Sequence, residues 1–526
     1  MKGRPLGAIR NPPGGICYEG SPFLYLQYVT INVREVPQRF RSKHTNKGAE
    51  VIFVKRRMIR ALSALAAAGV LTGCAVQSEN WSALSEPLTP ANWSHPALSG
   101  SETFETEAFW AAWNDPVLDA LVRRAVENNT DVLSALANLR AARAQVTSAT
   151  SALFPTFTGG GNGRTTRTSG NQTESWQATL SGEWTINLAG REYRLNSSAE
   201  WSALASWLTV KDVEAAVAAE TAQAYVNLRS AQINRRIVED SIRNYRENEQ
   251  LARWQVAAGL ATASDAEDAI SQLRSAEARL PEIDRGIQEY RNALARLTVQ
   301  SPEALPESLS DAGAELPTVP EGLAVRLPAD TLRQRPDVRG AEMQLRSAAE
   351  AVDAAEAAFF PSLSLSGSLG TQAATIGMLG ASGTGIATLV GGLSMPLLNW
   401  GGLVAQEESA RATLDSAKAN YLAVVTGALE ETDNALTGIR SSEERVRRLS
   451  EAVEHAEVSN QLARLEYESG IGDYLTLLSS ERTLLTARET ALANDTNRVN
   501  YYIMLYRALG GGWTPEGGPE TQSDKE

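Results

Sequence analysis

Phe359-Phe360-Pro361-Ser362-Leu363-Ser364-Leu365-Ser366-Gly367-Ser368-Leu369 decides how this chain is read. Ser362, Ser364, Ser366 and Ser368 fall on one side of a period of two, with Leu363, Leu365, Gly367 and Leu369 on the other. Such a strand suits a sheet wetted on one face and covered by core or lipid on the other. Ala-rich, charge-studded sequence with helical periodicity lies on both sides of the stretch from Phe359 to Trp400. The strand is therefore an island between long helices.

A second island lies earlier. Phe154-Pro155 breaks a helical pattern that starts at Pro116, with Asp115 as its cap. Gly- and Thr-rich sequence follows to Arg167, then a turn near Gly170-Asn171. Beyond the turn, Trp176, Ala178, Leu180, Gly182, Trp184, Ile186 and Leu188 alternate with Gln177, Thr179, Ser181, Glu183, Thr185 and Asn187. This is the pattern of a transmembrane β-strand, and an amphipathic strand of a soluble sandwich alternates in the same way. A strand of about ten residues or more matches a tilted crossing of the hydrocarbon layer, whereas soluble strands are usually shorter.

From about Arg191 to Ala258 there is neither proline nor interior glycine, so one helix can run roughly 100 Å at about 1.5 Å per residue. Gly259 ends it. Ser264-Asp265-Ala266-Glu267 reads as a capping box for the next helix, with Pro281 as a kink. Proline- and acid-rich residues 301–333 form a linker, after which the plan repeats. A helix from about Pro336 meets Phe360-Pro361, two strands follow, a proline-free helix runs from about Gly402 to Glu468, and Gly470 precedes a last helix. Matched order and spacing point to an internal duplication, 111–300 and 334–510.

The start of the chain has its own logic. Met58-Ile59-Arg60, an apolar run to Val70 and Leu71-Thr72-Gly73-Cys74 have the parts of a secretory signal. The last four resemble a lipobox, which makes Cys74 the expected lipidated N-terminus and 58–73 the signal peptide. Residues 1–57 then read as an untranslated extension, 74–110 as a tether and 511–526 as a tail. Removing residues 1–73, with 12 Lys and Arg against 3 Asp and Glu, moves the formal charge from −13 to −22. A chain so acidic is a poor nucleic-acid binder. His44, His95 and His455 lie far apart, and no phosphate loop, nucleophile elbow or metal spacing occurs, so neither an enzyme nor a cofactor is expected.

Four strands per chain cannot close a barrel, and open sheet edges are not tolerated in lipid. Several chains must pool their strands if these cross a membrane. The motifs Trp113-Asn114-Asp115-Pro116, Leu327-Pro328-Ala329-Asp330, Arg335-Pro336-Asp337-Val338, Ala357-Ala358-Phe359-Phe360-Pro361 and Leu505-Tyr506-Arg507-Ala508-Leu509-Gly510 carry a resemblance over nearly all of the chain from Leu71. It resembles the TolC-like (NodT-type) outer-membrane lipoproteins of tripartite RND efflux systems. The resemblance implies an α+β membrane protein, a homotrimer with a 12-stranded transmembrane β-barrel continuous with a long periplasmic α-helical barrel. It also implies a passive exit duct in the cell outer membrane, working with a periplasmic adaptor protein and an inner-membrane RND transporter.

The same resemblance implies a gate near the two glycine turns, with Gly259, Leu260, Gly470 and Ile471 as tips for adaptor contact. Asp265 and Tyr467 match the family's gate aspartate and tyrosine, and helix capping explains Asp265 equally well. The family's pairing arginine falls on Gly472, and its constriction aspartates fall on Thr476 and Ser479, so an aspartate ring there is in doubt. Asp473 is a substitute candidate, with an N-cap role as the simpler reading. Two rivals remain: an outer-membrane duct for type I protein secretion, and a lipid-anchored periplasmic coiled-coil scaffold without a pore.

Overall fold

The computed structural model describes residues 88–89, 109–310, 314–319 and 328–513. The chain divides into units Met1–Glu79 and Asn80–Glu526, and everything below concerns the second. Cys74, the signal segment and most of the tether and tail lie outside the described residues.

The first half runs α1 (Pro116–Asn128), α2 (Thr130–Ser151), β1 (Thr156–Thr168), β2 (Asn171–Asn187), α3 (Arg191–Ala257), α4 (Ala263–Glu277) and α5 (Leu280–Leu297). The second runs α6 (Pro328–Gln334), α7 (Pro336–Ala357), β3 (Ser362–Ala373), β4 (Gly385–Ser394), α8 (Trp400–Glu468) and α9 (Tyr474–Ala508). Helices α3 and α8 have 67 and 69 residues, each roughly 100 Å long. No helix among the described residues is long and apolar enough to cross a membrane.

Three details differ from the sequence reading. The first helix is two, because Asn129 leaves the helical conformation and caps α2 through the Asp131 amide at 2.7 Å. Pro281 breaks rather than kinks: α4 stops at Glu277, and Pro281 stands in the first turn of α5, where a missing N–H costs nothing. The capping box is Thr262 with Asp265, two residues ahead of Ser264, because the turn at Gly259 releases the chain sooner.

The strands form one antiparallel sheet in the order β1-β2-β3-β4. Pairing of β2 with β3 joins the halves, in a register that sets Trp184 beside Leu365, Ile186 beside Leu363 and Leu180 beside Leu369. On β4, Leu393 stands opposite Leu363 and Ala387 opposite Leu369. One face is thus apolar across β2, β3 and β4. Strand β1 brings mostly glycine to that face, and β2 and β3 supply the bulk. The Trp176 ring covers Gly163 so closely that an added Cβ would lie 2.5 Å from it, and Phe157 covers Gly182 in the same way. The apolar face is open: Leu369 is 66 % and Leu389 84 % exposed. Within one chain, β1 and β4 each pair on one side only.

The helix–strand junctions are tied within the first half by one bond and across the halves by two. Trp184 Nε1 donates to Leu153 O at 3.1 Å, Asn187 Nδ2 to Ala357 O at 3.0 Å, and the Leu188 amide to Pro361 O at 3.1 Å. Away from the sheet, Phe109, Trp110 and Tyr506 cluster with ring centroids 4.6 to 5.0 Å apart, within the largest core among the described residues. Asp115 caps α1 as expected, accepting from the Val117 and Leu118 amides, and its other oxygen accepts from Tyr225 Oη at 2.7 Å.

Candidate functional site

Two glycine turns lie together at one end of the helices. Gly259 (φ 73°) and Gly470 (φ 76°) hold the left-handed conformation that an L side chain resists. Each ends its helix with the same pair of bonds: Gly259 N–H to Val256 O and Leu260 N–H to Gln255 O in one, Gly470 N–H to Tyr467 O and Ile471 N–H to Glu466 O in the other. This is the Schellman arrangement, and a new N-cap follows three residues on, at Thr262 and at Asp473. Leu260 and Ile471, at 80 % and 84 % exposed, project at the apex.

Behind the turns, α3, α4, α8 and α9 share one core that includes Tyr245, Ala252, Leu273, Ala463, Tyr467, Tyr474 and Leu477. Small residues on facing helices, Ala252, Ala269, Ala276 and Ala463, let the backbones come close. Between the halves, Gln255 Nε2 donates to Tyr467 O at 3.4 Å, Arg464 pairs with Glu247, and Arg482 reaches Gln272 Oε1 with its Nε at 3.2 Å.

The gate candidates divide into two groups. Asp265 and Tyr467 are near enough that burial, then the Asp265 carboxylate, push the Tyr467 phenol up. No hydrogen bond joins them among the described residues. Asp265 Oδ2 instead accepts from the Thr262 amide and hydroxyl, both at 2.9 Å, closing the capping box. Tyr467 is buried, its ring 5.8 Å from that of Tyr474, and its hydroxyl has no partner within the described residues of this chain.

Asp473 is an N-cap. Its Oδ1 accepts from the Thr476 amide at 2.6 Å, and that backbone bond holds its carboxyl below the usual carboxylate range. Thr476 and Ser479 are exposed on α9. Ser479 lines an open groove of about 570 Å³ with Leu449, Arg482, Thr483 and Thr486. Gly472, at the pairing-arginine position, gives its N–H to Glu466 O at 2.9 Å, and an added Cβ would press on Glu466 Cβ at 3.0 Å. The tight turn favours glycine at this position.

One pair escaped the sequence reading. Glu481 of α9 and Asn248 of α3 are buried and bonded to each other, Asn248 Nδ2 donating to Glu481 Oε1. The signal was present: Glu481 falls in step with Leu477, Leu478, Leu484 and Leu485, so a carboxyl occupies the apolar stripe of α9.

Four long antiparallel strands set on helices of roughly 100 Å, closed at the far end by paired turns, define a class of outer-membrane channel subunits. The chain belongs to the outer membrane efflux protein family, whose profile matches residues 121–299 and 327–511. Toluene efflux pump outer membrane protein TtgC of Pseudomonas putida is 28 % identical over 476 residues, covering 88 % of this chain and 97 % of its own. Nodulation protein T of Rhizobium leguminosarum bv. trifolii is 28 % identical over 455 residues, covering 85 % and 96 %. Among solved structures, the outer-membrane channel OprN superposes with a TM-score of 0.76 at 29 % identity, covering 81 % of this chain and 98 % of that one.

Proposed function

We propose that the chain is one of three copies forming an outer-membrane exit duct of a tripartite efflux pump. The duct passively conducts small molecules that an inner-membrane RND transporter and a periplasmic adaptor deliver. The observation that carries this reading is the sheet: its apolar face is open, its two edges are unpaired within the chain, and it continues into helices of roughly 100 Å. Three such sheets close a 12-stranded barrel with lipid outside and the Ser-lined face of β3 inside. The helices then line a periplasmic tunnel, and residues 111–300 and 334–510 are two copies of one ancestral unit.

The glycine turns are the tunnel's mobile end. Gly259, Leu260, Gly470 and Ile471 meet the adaptor, and the turns swing outward on contact. The unpartnered Tyr467 hydroxyl and nearby Asp265 hold the closed state against a neighbouring copy. Replacing either residue, D265A or Y467F, raises closed-state conductance in planar bilayers, and unchanged conductance in both removes this gate. Cys74 carries the lipid that anchors the chain, so C74S abolishes incorporation of labelled palmitate.

Cells lacking the chain should retain a fluorescent efflux dye, and its return should restore extrusion. Unchanged dye export together with loss of an extracellular protein would instead favour the secretion duct.

A further inference from the structure

We infer that Glu481 and Asn248 form a proton-operated clasp that holds α9 to α3 behind the glycine turns. The inference rests on the reading of those turns as the moving end of the duct. Glu481 is 7 % and Asn248 2 % exposed, and the bond between them joins residues 233 apart, one in each half of the chain. Asn248 lies between Tyr245 and Ala252 on α3, and Glu481 one turn beyond Leu477 on α9, and those three neighbours belong to the core shared by α3, α4, α8 and α9.

The charged and titratable surroundings do not neutralise the carboxylate. Arg464 of α8 is a cation that acts on it, but that guanidinium is engaged by Glu247 of α3 and by Glu468 on its own helix, the latter at 3.0 Å. Glu247 itself repels Glu481. The phenols of Tyr245 on α3 and Tyr474 on α9 also face it, and burial, then its charge, pushes both up. On α4, Asp268 acts on Tyr474, while Gln272 accepts from Arg482.

Burial therefore dominates and raises the Glu481 carboxyl from 4.5 to about 7, against the opposing pull of the Asn248 bond. The sign follows from linkage. The packed end binds the proton more tightly than an end whose Glu481 meets water. Below about pH 4.5 both forms are protonated and ionisation imposes no penalty on packing. The penalty grows from there to about pH 7 and is fully present above it. Acid keeps the clasp shut, and neutral pH loosens it. The Asn248 amide can serve the neutral carboxyl as well, accepting its proton at Oδ1.

The test uses the full-length protein in detergent, followed by hydrogen–deuterium exchange across the range pH 4.5 to 8. Rates are corrected for the intrinsic pH dependence of exchange, and peptides within 215–232 serve as the internal control. In wild type, protection of peptides within 241–256 and 474–485 should fall at least several-fold toward pH 8, with the control unchanged. E481Q, which keeps the bulk without the charge, should show pH-independent protection. N248A should move the midpoint upward, because it removes the bond that favours the carboxylate. Wild-type pH dependence retained in E481Q would overturn the clasp. Planar-bilayer conductance of the same preparations is read alongside. Absence of a pore at every pH strikes the duct reading and leaves the exchange result to judge the clasp. A pore whose closed-state conductance has the same pH dependence in wild type and E481Q overturns its role at the moving end.

Discussion

Arg335 shows how a buried charge can hold two distant segments together. It is 4 % exposed, yet Nη2 contacts Asp337 Oδ2 at 2.7 Å and Glu431 Oε2 at 2.9 Å, Nε contacts Asp337 Oδ1 at 3.0 Å, and Nη1 reaches Ala508 O at 3.3 Å. The Arg335-Pro336-Asp337 motif thereby joins the start of α7 to α8 and to the end of α9. Asp212 lies within the same field, raised by burial and by Asp337 and lowered by Arg507 and Arg335. The guanidinium is buried while Asp337 and Glu431 keep part of their contact with water, so R335A should cost about 1.5–3 kcal/mol in chemical unfolding. A loss below about 1 kcal/mol, the scale of an exposed ion pair, would contradict this role.

Among the elements, the turns and β1 give the sharpest tests. Alanine at Gly259 or Gly470 meets open space but keeps φ near +75°, so each substitution should cost roughly 1–2 kcal/mol locally and speed proteolysis at the turn. Strand β1 should respond to bulk: G163V collides with the Trp176 ring and should reduce the fraction of protein that assembles as a heat-modifiable barrel on gels. That collision also explains what could be read beforehand. Strands β2 and β3 were legible because their own residues alternate. Strand β1 was not legible as an amphipathic strand, because most of its apolar face is glycine, with Gly163 covered by Trp176 of β2. The long helices were legible from the absence of proline, and α3 from the absence of interior glycine as well. The Asn129 break and the Thr262 cap were not, because Asn or Thr beside other capping residues leaves the start of a helix ambiguous by a turn. Asp473 could be placed as an N-cap because it directly follows a glycine turn. The Glu481 and Asn248 clasp lies across the two halves, and no local pattern pairs residues 233 apart.

At the scale of the whole molecule, everything turns on whether the open sheet finds partners. One chain presents an uncovered apolar face and two free edges, and lipid can accept the face but not the edges. Three copies remove all six edges at once. The most direct measurement takes the purified protein, determines its mass in detergent and then adds it to a planar lipid bilayer. A mass of three chains with discrete, ion-conducting steps is the expected result. A monomer that extracts without detergent and passes no current would contradict the duct and leave a periplasmic scaffold in its place.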